Sequence, residues 1–287
     1  MTWLKLELNV DIDAADELSD RLLGLGAVSV SLAPFSDELL YEPAPGETPL
    51  WRRSRLSALF AAESDLEEAR RVLAAHGDVE EGFVEDQDWV DAWRSSAVAQ
   101  CFGGRLWVVP RDAEPRDGVI LRLDPGLAFG TGAHPTTRLC LEWLASHDLT
   151  GQRLVDYGCG SGILGIAGAL LGAAEVLAVD HDAQALLATR ENARANGVEP
   201  GRLRVVSPEQ VPDQDDYDVL VANILANPLM DLASRFTDLI RPGGMIVLSG
   251  LLAGQASDVV AGYPAFRFAD PQADGDWVLL MGRKRGR

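Results

Sequence analysis

Hydrophobic residues recur along this chain with two periods, which alternate in a regular order. From Trp3 to Val10 the period is two, with Leu4, Leu6, Leu8 and Val10 on one face and Trp3, Lys5, Glu7 and Asn9 on the other. That predicts a half-buried strand. Asp11 or Asp13 can then cap a helix carrying Leu18, Leu22 and Leu23, closed by Gly24 and Gly26. Ala27 to Leu32 returns as a strand, and the proline- and acid-rich stretch from Pro34 to Pro49 reads as a loop. Leu56 to Ala61 is a strand, Ser64 or Asp65 opens a helix through Leu66, Ala69, Val72 and Leu73 that Gly77 ends, and Val79 to Val84 is a strand. The order βαββαβ predicts a ferredoxin-like α+β domain over residues 1–85. Such a fold serves as a packing or dimerisation module as readily as a recognition domain. It holds no phosphate loop, metal cluster or catalytic pair, so any function of its own is recognition.

Trp89 and Trp93 lie four residues apart and share a face if residues 86–98 form a helical linker. Over residues 99–287 strands and helices alternate. Leu106 to Val109 and Val119 to Leu123 read as a strand pair joined by a turn at Pro110 to Gly118. Further strands are expected at 155–156, 178–180, 203–206, 219–222, 245–249, 266–268 and 277–282. Helices are expected at Thr136 to Leu144, Ile163 to Leu171, Ala183 to Asn196 and Leu225 to Ile240, with a turn at Arg241-Pro242-Gly243-Gly244. This order predicts an α/β, doubly wound, mostly parallel Rossmann-like sheet.

The chemistry concentrates at the first βαβ unit of that sheet. Gly160-Ser161-Gly162-Ile163-Leu164-Gly165 satisfies G-x-G-x-x-G, and Asp180 ends the next strand about 20 residues on. A dinucleotide therefore fits the glycines taken alone. Asp156, two residues before Gly158, argues otherwise, because a carboxylate there repels a pyrophosphate. It suits a cofactor with a cationic amino-acid end, S-adenosylmethionine. In that reading Asp156, Gly158, Gly160 and Gly162 approach the methionine portion, and Asp180 accepts from the ribose hydroxyls. Asn223 follows the fourth strand directly, where it can accept from a substrate N–H without donating to anything else, aiming the nitrogen lone pair at the methyl group. A turn or N-cap asparagine is the structural alternative. The loop from Gly126 to Thr137 spends three glycines, Phe129 and His134 over a few positions, more than a helix start needs. His134 could exchange a proton or only brace the loop.

Composition narrows the partners. The 287 residues carry a formal net charge of −19, which argues against direct nucleic-acid binding and favours solubility or a basic protein partner. Cys101, Cys140 and Cys159 are too scattered for a zinc site or a disulfide framework, and no metal is expected. With no signal pattern and no apolar run of about 18 residues, a cytoplasmic protein is expected.

Gly126 to Gly132 with His134-Pro135-Thr136-Thr137, then Asp156 to Gly162, then Asn223-Ile224-Leu225-Ala226 together resemble the ribosomal protein L11 methyltransferases of the PrmA type. The resemblance runs over nearly the whole chain, including Asp88 to Trp93 and Phe102 to Trp107. It implies methyl transfer from S-adenosylmethionine to the N-terminal α-amine and lysine ε-amines of L11, repeated to the trimethyl state. It further implies that the small N-terminal domain recognises the substrate and moves on the tryptophan-bearing linker. Matching motif positions, Thr137, Gly158, Asp180 and Asn223 would bind the cofactor, with Asn223 also near the amine. Phe129, His134 and Thr136 of the loop and His181 beside Asp180 are counted with them. His181 stands where an apolar residue against adenine is expected, although an imidazole face can stack there; Ser95 to Gln100 is the other departure. The alternatives are methylation of another protein or a small amine, a dinucleotide-dependent oxidoreductase, and a ribosome-assembly binding protein without catalysis.

Overall fold

A computed structural model of the chain describes residues 2–35, 53–85, 99–111, 113, 117–123, 134–213 and 216–286. The expected linker helix, most of the proline-rich loop and Gly126 to Ala133, Phe129 included, lie outside the described residues. The chain divides into two compact units, Met1–Trp89 and Val90–Arg287.

In the first unit β1 (Thr2–Asp11), α1 (Ile12–Gly24), β2 (Ser29–Pro34), β3 (Arg53–Ala61), α2 (Glu67–Ala74) and β4 (Glu80–Glu85) follow the expected order. The strands form an antiparallel sheet in the order β2-β3-β1-β4. The alternation in β1 fixes which face is covered: Leu6, Leu8 and Val10 are buried with Leu18 and Leu22 of α1 and Val72 and Leu73 of α2. Asp11 holds the N-cap position of α1 but makes no capping hydrogen bond with its side chain. Asp65 does bond the start of α2, accepting from the Glu67 amide at 3.0 Å.

The second unit begins with β5 (Gln100–Phe102), β6 (Leu106–Val109) and β7 (Val119–Arg122). β6 and β7 pair as expected, but in parallel, so they are not the two arms of a hairpin. The hairpin is instead β5 to β6, turned at Gly103 and Gly104 with φ of 53° and 65°. The large sheet follows from α3 (Pro135–Ser146), β8 (Arg153–Tyr157), α4 (Ile163–Leu170), β9 (Glu175–Val179), α5 (Ala183–Ala195), β10 (Leu203–Val206), β11 (Tyr217–Asn223), α6 (Ala226–Asp231), α7 (Ala233–Leu239), β12 (Ile240–Leu252), α8 (Ala256–Ala261), β13 (Phe266–Phe268), β14 (Gln272–Asp274) and β15 (Trp277–Lys284). Its order is β10-β9-β8-β11-β12-β15-β13, with β14 paired to β15. The first five strands are parallel, and β15 runs antiparallel to β12. Strand order reverses between β8 and β11, and in open α/β sheets it is beyond the carboxyl ends of the strands at such a point that ligands bind in a crevice.

Two further differences from expectation are local. The helix expected from Leu225 to Ile240 is two, broken at Leu232, yet Ala226, Leu229, Ala233 and Phe236 keep one buried face across the break. The Arg241 to Gly244 turn is a bulge inside β12, because β11 already pairs Tyr217 with Ile240 before pairing Val219 with Met245. No helix among the described residues is long and apolar enough to cross a membrane. Phe236 is fully buried and meets Tyr157 edge-on at 4.8 Å between ring centroids. Phe236→Ala should cost the second unit about 3–5 kcal/mol in urea unfolding, mostly as cavity.

Candidate active site

The crevice beyond β8 and β11 is floored by the glycine turn. Gly158, Gly160 and Gly162 have φ of 79°, 54° and 81°, a region that disfavours any Cβ. The turn is anchored from behind: the Gly158 and Cys159 amides donate to the Val179 carbonyl at 2.8 and 3.0 Å. α4 then starts at Ile163.

Asp156 ends up beneath this turn, facing the protein interior. Its residue is 1% exposed, and Oδ2 accepts from the Gly165 amide in the first turn of α4 at 2.7 Å. Oδ1 has no partner among the described residues. Burial pushes this carboxyl from 3.8 up to about 7, against the opposing pull of the Gly165 amide. The third glycine of the motif is explained by the same contact, since a Cβ on Gly165 would lie 3.1 Å from Asp156 Oδ2 and 3.3 Å from Val176 Cγ1.

Asp180 sits at the end of β9, 8% exposed. Its Oδ2 accepts from the Gly160 amide at 2.9 Å and its Oδ1 from the Asp182 amide at 3.0 Å. Each oxygen keeps a second lone pair for a ligand hydroxyl. Asp182 caps α5 as its position suggests, accepting from the Gln184 amide at 2.9 Å. The His181 side chain is 92% exposed, with Nδ1 3.5 Å from Asp180 Oδ1.

Across the crevice Asn223 ends β11, and its Nδ2 donates to Thr137 Oγ1 at 3.2 Å. The expectation that this amide donates to nothing is therefore corrected; Thr137 orients it and leaves Oδ1 as the acceptor. Thr137 is buried, as is Thr136. His134 is the N-cap of α3, with Nδ1 accepting from the Thr136 amide at 3.4 Å and lying 2.7 Å from Thr136 Oγ1. Its ring also packs edge-on against Trp277 at 4.9 Å. These contacts tie its ring to the start of α3, and Pro135 fills the first helical position, where its missing N–H costs nothing. Cys140 and Cys159 are buried, and burial pushes both thiols up, away from nucleophilic use.

Sequence reasoning missed Thr189 and Asn192 of α5. Thr189 Oγ1 donates to the Gly160 carbonyl at 3.0 Å, and Asn192 Nδ2 donates to the Ser161 carbonyl at 2.8 Å. The available signal was a pair of poor helix formers, Thr189 and Asn192, three residues apart inside an otherwise strong helix.

The raised Asp156 carboxyl has a pH consequence. Between 3.8 and about 7 the native state binds the proton that the unfolded chain has released, so stability falls as pH rises through that window. Asp156→Asn removes the titration while an amide oxygen can still accept from Gly165. Its thermal midpoint should gain on wild type as pH rises from about 4 to about 7. A difference that stays constant with pH would clear Asp156 of this role.

Comparison with known proteins fits this architecture. A family model described as ribosomal protein L11 methyltransferase (PrmA) matches residues 2–285. A relative of that name from Marinobacter nauticus is 46% identical over 297 residues, covering 99% of each chain. Another from Pseudomonas aeruginosa is 48% identical over 293 residues, again covering 99% of each. The crystal structure of a ribosomal protein L11 methylase from Lactobacillus delbrueckii subsp. bulgaricus is 34% identical, covers 63% of this chain and 95% of its own, and superposes with a TM-score of 0.57. A likeness that spans the small α+β unit as well as the crevice makes this chain a member of the ribosomal protein L11 methyltransferase family.

Proposed function

We propose that this protein uses S-adenosylmethionine to methylate ribosomal protein L11, on the N-terminal α-amine and on lysine ε-amines, up to the trimethyl state. The observation that carries the reading is full-length family membership, with relatives of that name at 46% and 48% identity. The crevice supplies the matching chemistry. Asp180 offers two oxygens to ribose hydroxyls, and the positive-φ glycines keep side chains away from the methionine portion. Asp156 contributes a carboxylate beneath the turn, where it occupies the helix amide that a pyrophosphate would need. His134 and Thr136 brace the start of α3, so that Thr137 can hold Asn223; Phe129 is assigned to the same loop and His181 to the adenine edge.

When bound, the cofactor supplies a methyl group already activated by a positively charged sulfur. What the protein must add is a neutral, aligned amine. Asn223 Oδ1, fixed through Thr137, accepts one amine hydrogen and turns the lone pair toward the methyl carbon. A free lysine amine has a pKa of about 10.4 and an α-amine about 7.7–8.0, so desolvation on entry favours the reactive neutral form.

The first unit, with its β2-β3-β1-β4 order, is read as a ferredoxin-like substrate-recognition domain over residues 1–85, joined by a linker at 86–98 to a catalytic domain at 99–287. The net charge of −19 suits a basic protein substrate and disfavours direct contact with nucleic acid. A cytoplasmic location follows from that substrate.

Incubation with labelled S-adenosylmethionine and unmethylated L11, followed by mass spectrometry, should show methyl groups on amines. Binding of cofactor without transfer would leave the assembly-protein alternative. Asp180→Ala should weaken cofactor binding by about 1–3 kcal/mol, and unchanged affinity in calorimetry would remove Asp180 from the site. Removal of residues 1–85 should abolish transfer to intact L11 and spare cofactor binding. Efficient transfer by the truncated chain would end the recognition role.

A further inference from the structure

We infer that Thr189, with Asn192 one turn later on α5, is a positioning pair for the cofactor site: together they hold the glycine turn in the one orientation that keeps Asp180 aimed at its ligand. The inference rests on the cofactor assignment above and adds residues whose hydrogen bonds go to the glycine turn.

The turn is gripped from two sides. On one side the Gly160 amide donates to Asp180 Oδ2 at 2.9 Å. On the other, the Gly160 carbonyl accepts from Thr189 Oγ1 at 3.0 Å and the Ser161 carbonyl from Asn192 Nδ2 at 2.8 Å. Two successive carbonyls are thus drawn toward α5 by side chains three residues apart, which share a helix face. The Gly160 amide and carbonyl lie in successive peptide planes joined at one α-carbon, so holding the carbonyl restricts how far the amide can turn from Asp180.

Thr189 is wholly buried, and its hydroxyl has a second neighbour, Cys159 Sγ at 3.3 Å. With the Thr189 proton on the Gly160 carbonyl, the thiol donates to Oγ1, which completes a chain from Cys159 through Thr189 to the turn. Burial keeps Cys159 protonated, as that chain requires. The Thr189 methyl closes the remaining space: a Cβ on Gly162 would lie 2.7 Å from its Cγ2. Shape and hydrogen bonding therefore come from one side chain. Asn196 exchanges two hydrogen bonds with the Arg122 backbone at 2.7 Å each, tying α5 to the end of β7.

The test separates the hydroxyl from the shape. Thr189→Val keeps the volume and loses the donor, and Thr189→Ser keeps the donor. Calorimetric titration with S-adenosylmethionine should show Thr189→Val weaker by roughly threefold to tenfold, with Thr189→Ser recovering most of that loss and the protein-substrate KM unchanged. Because Thr189 acts through Asp180, the valine effect should shrink below about twofold in an Asp180→Ala background. If Thr189→Val lowers the thermal midpoint too far to titrate, Asn192→Ala, which releases the adjacent carbonyl, carries the same expectations. Wild-type affinity in the valine variant, equal losses in valine and serine variants, or full additivity with Asp180→Ala would each overturn the inference. Failure of the wild-type protein to bind S-adenosylmethionine would instead overturn the cofactor assignment.

Discussion

The crevice depends on a carboxylate that is buried beneath a helix. Asp156 is 1% exposed, and burial holds its carboxyl up at about 7 although the Gly165 amide pulls the other way. Its Oδ2 takes the Gly165 amide from the positive end of α4. That contact sets where the helix begins relative to β8. It also leaves no comfortable space for a Cβ at Gly165, and the chain between strand and helix must then turn through three positive-φ glycines. The sharp turn is a consequence of how closely helix and strand are drawn together.

The β8–β9 side of the crevice is hung from that turn. Gly160 points its amide at Asp180, its carbonyl at Thr189, and so couples the ends of β8 and β9 to the face of α5. Across the gap, α3 reaches β11 through one hydrogen bond from Asn223 to Thr137. His134 secures the start of α3 against Trp277, and Arg138 pairs with Asp274 of β14 one residue after Thr137. The β14–β15 hairpin is therefore a brace for the asparagine, although it lies far from it in sequence.

Much of this was legible from pattern. The strict alternation of Trp3 to Val10 named the buried face of β1, and the spacing from the glycines to Asp180 placed an acid at the next strand end. What pattern could not show was direction. Asp156 and Asp180 look equivalent in sequence, each an acid closing an apolar strand, yet one carboxylate turns under the helix and the other stays at the mouth of the crevice. Periodicity reports which face a residue occupies, and rotamers at a strand end lie outside it. The parallel run of β6 and β7 escaped for a similar reason, because a turn-like composition at 110–118 does not reveal which way the chain returns. Thr189 and Asn192 were hidden by distance, since their partners lie 29 and 31 residues away.

The buried acid also alters the argument about the cofactor. Read from sequence, Asp156 excludes phosphates by repulsion at close range. In the structure its charge is partly answered by the Gly165 amide and lies behind the turn, so direct repulsion is weakened. The stronger exclusion is occupancy. In a dinucleotide domain the pyrophosphate takes the helix amides, and here a side chain already holds one of them. The proposed sulfonium cofactor carries no phosphate and so makes no claim on the amide that Asp156 holds.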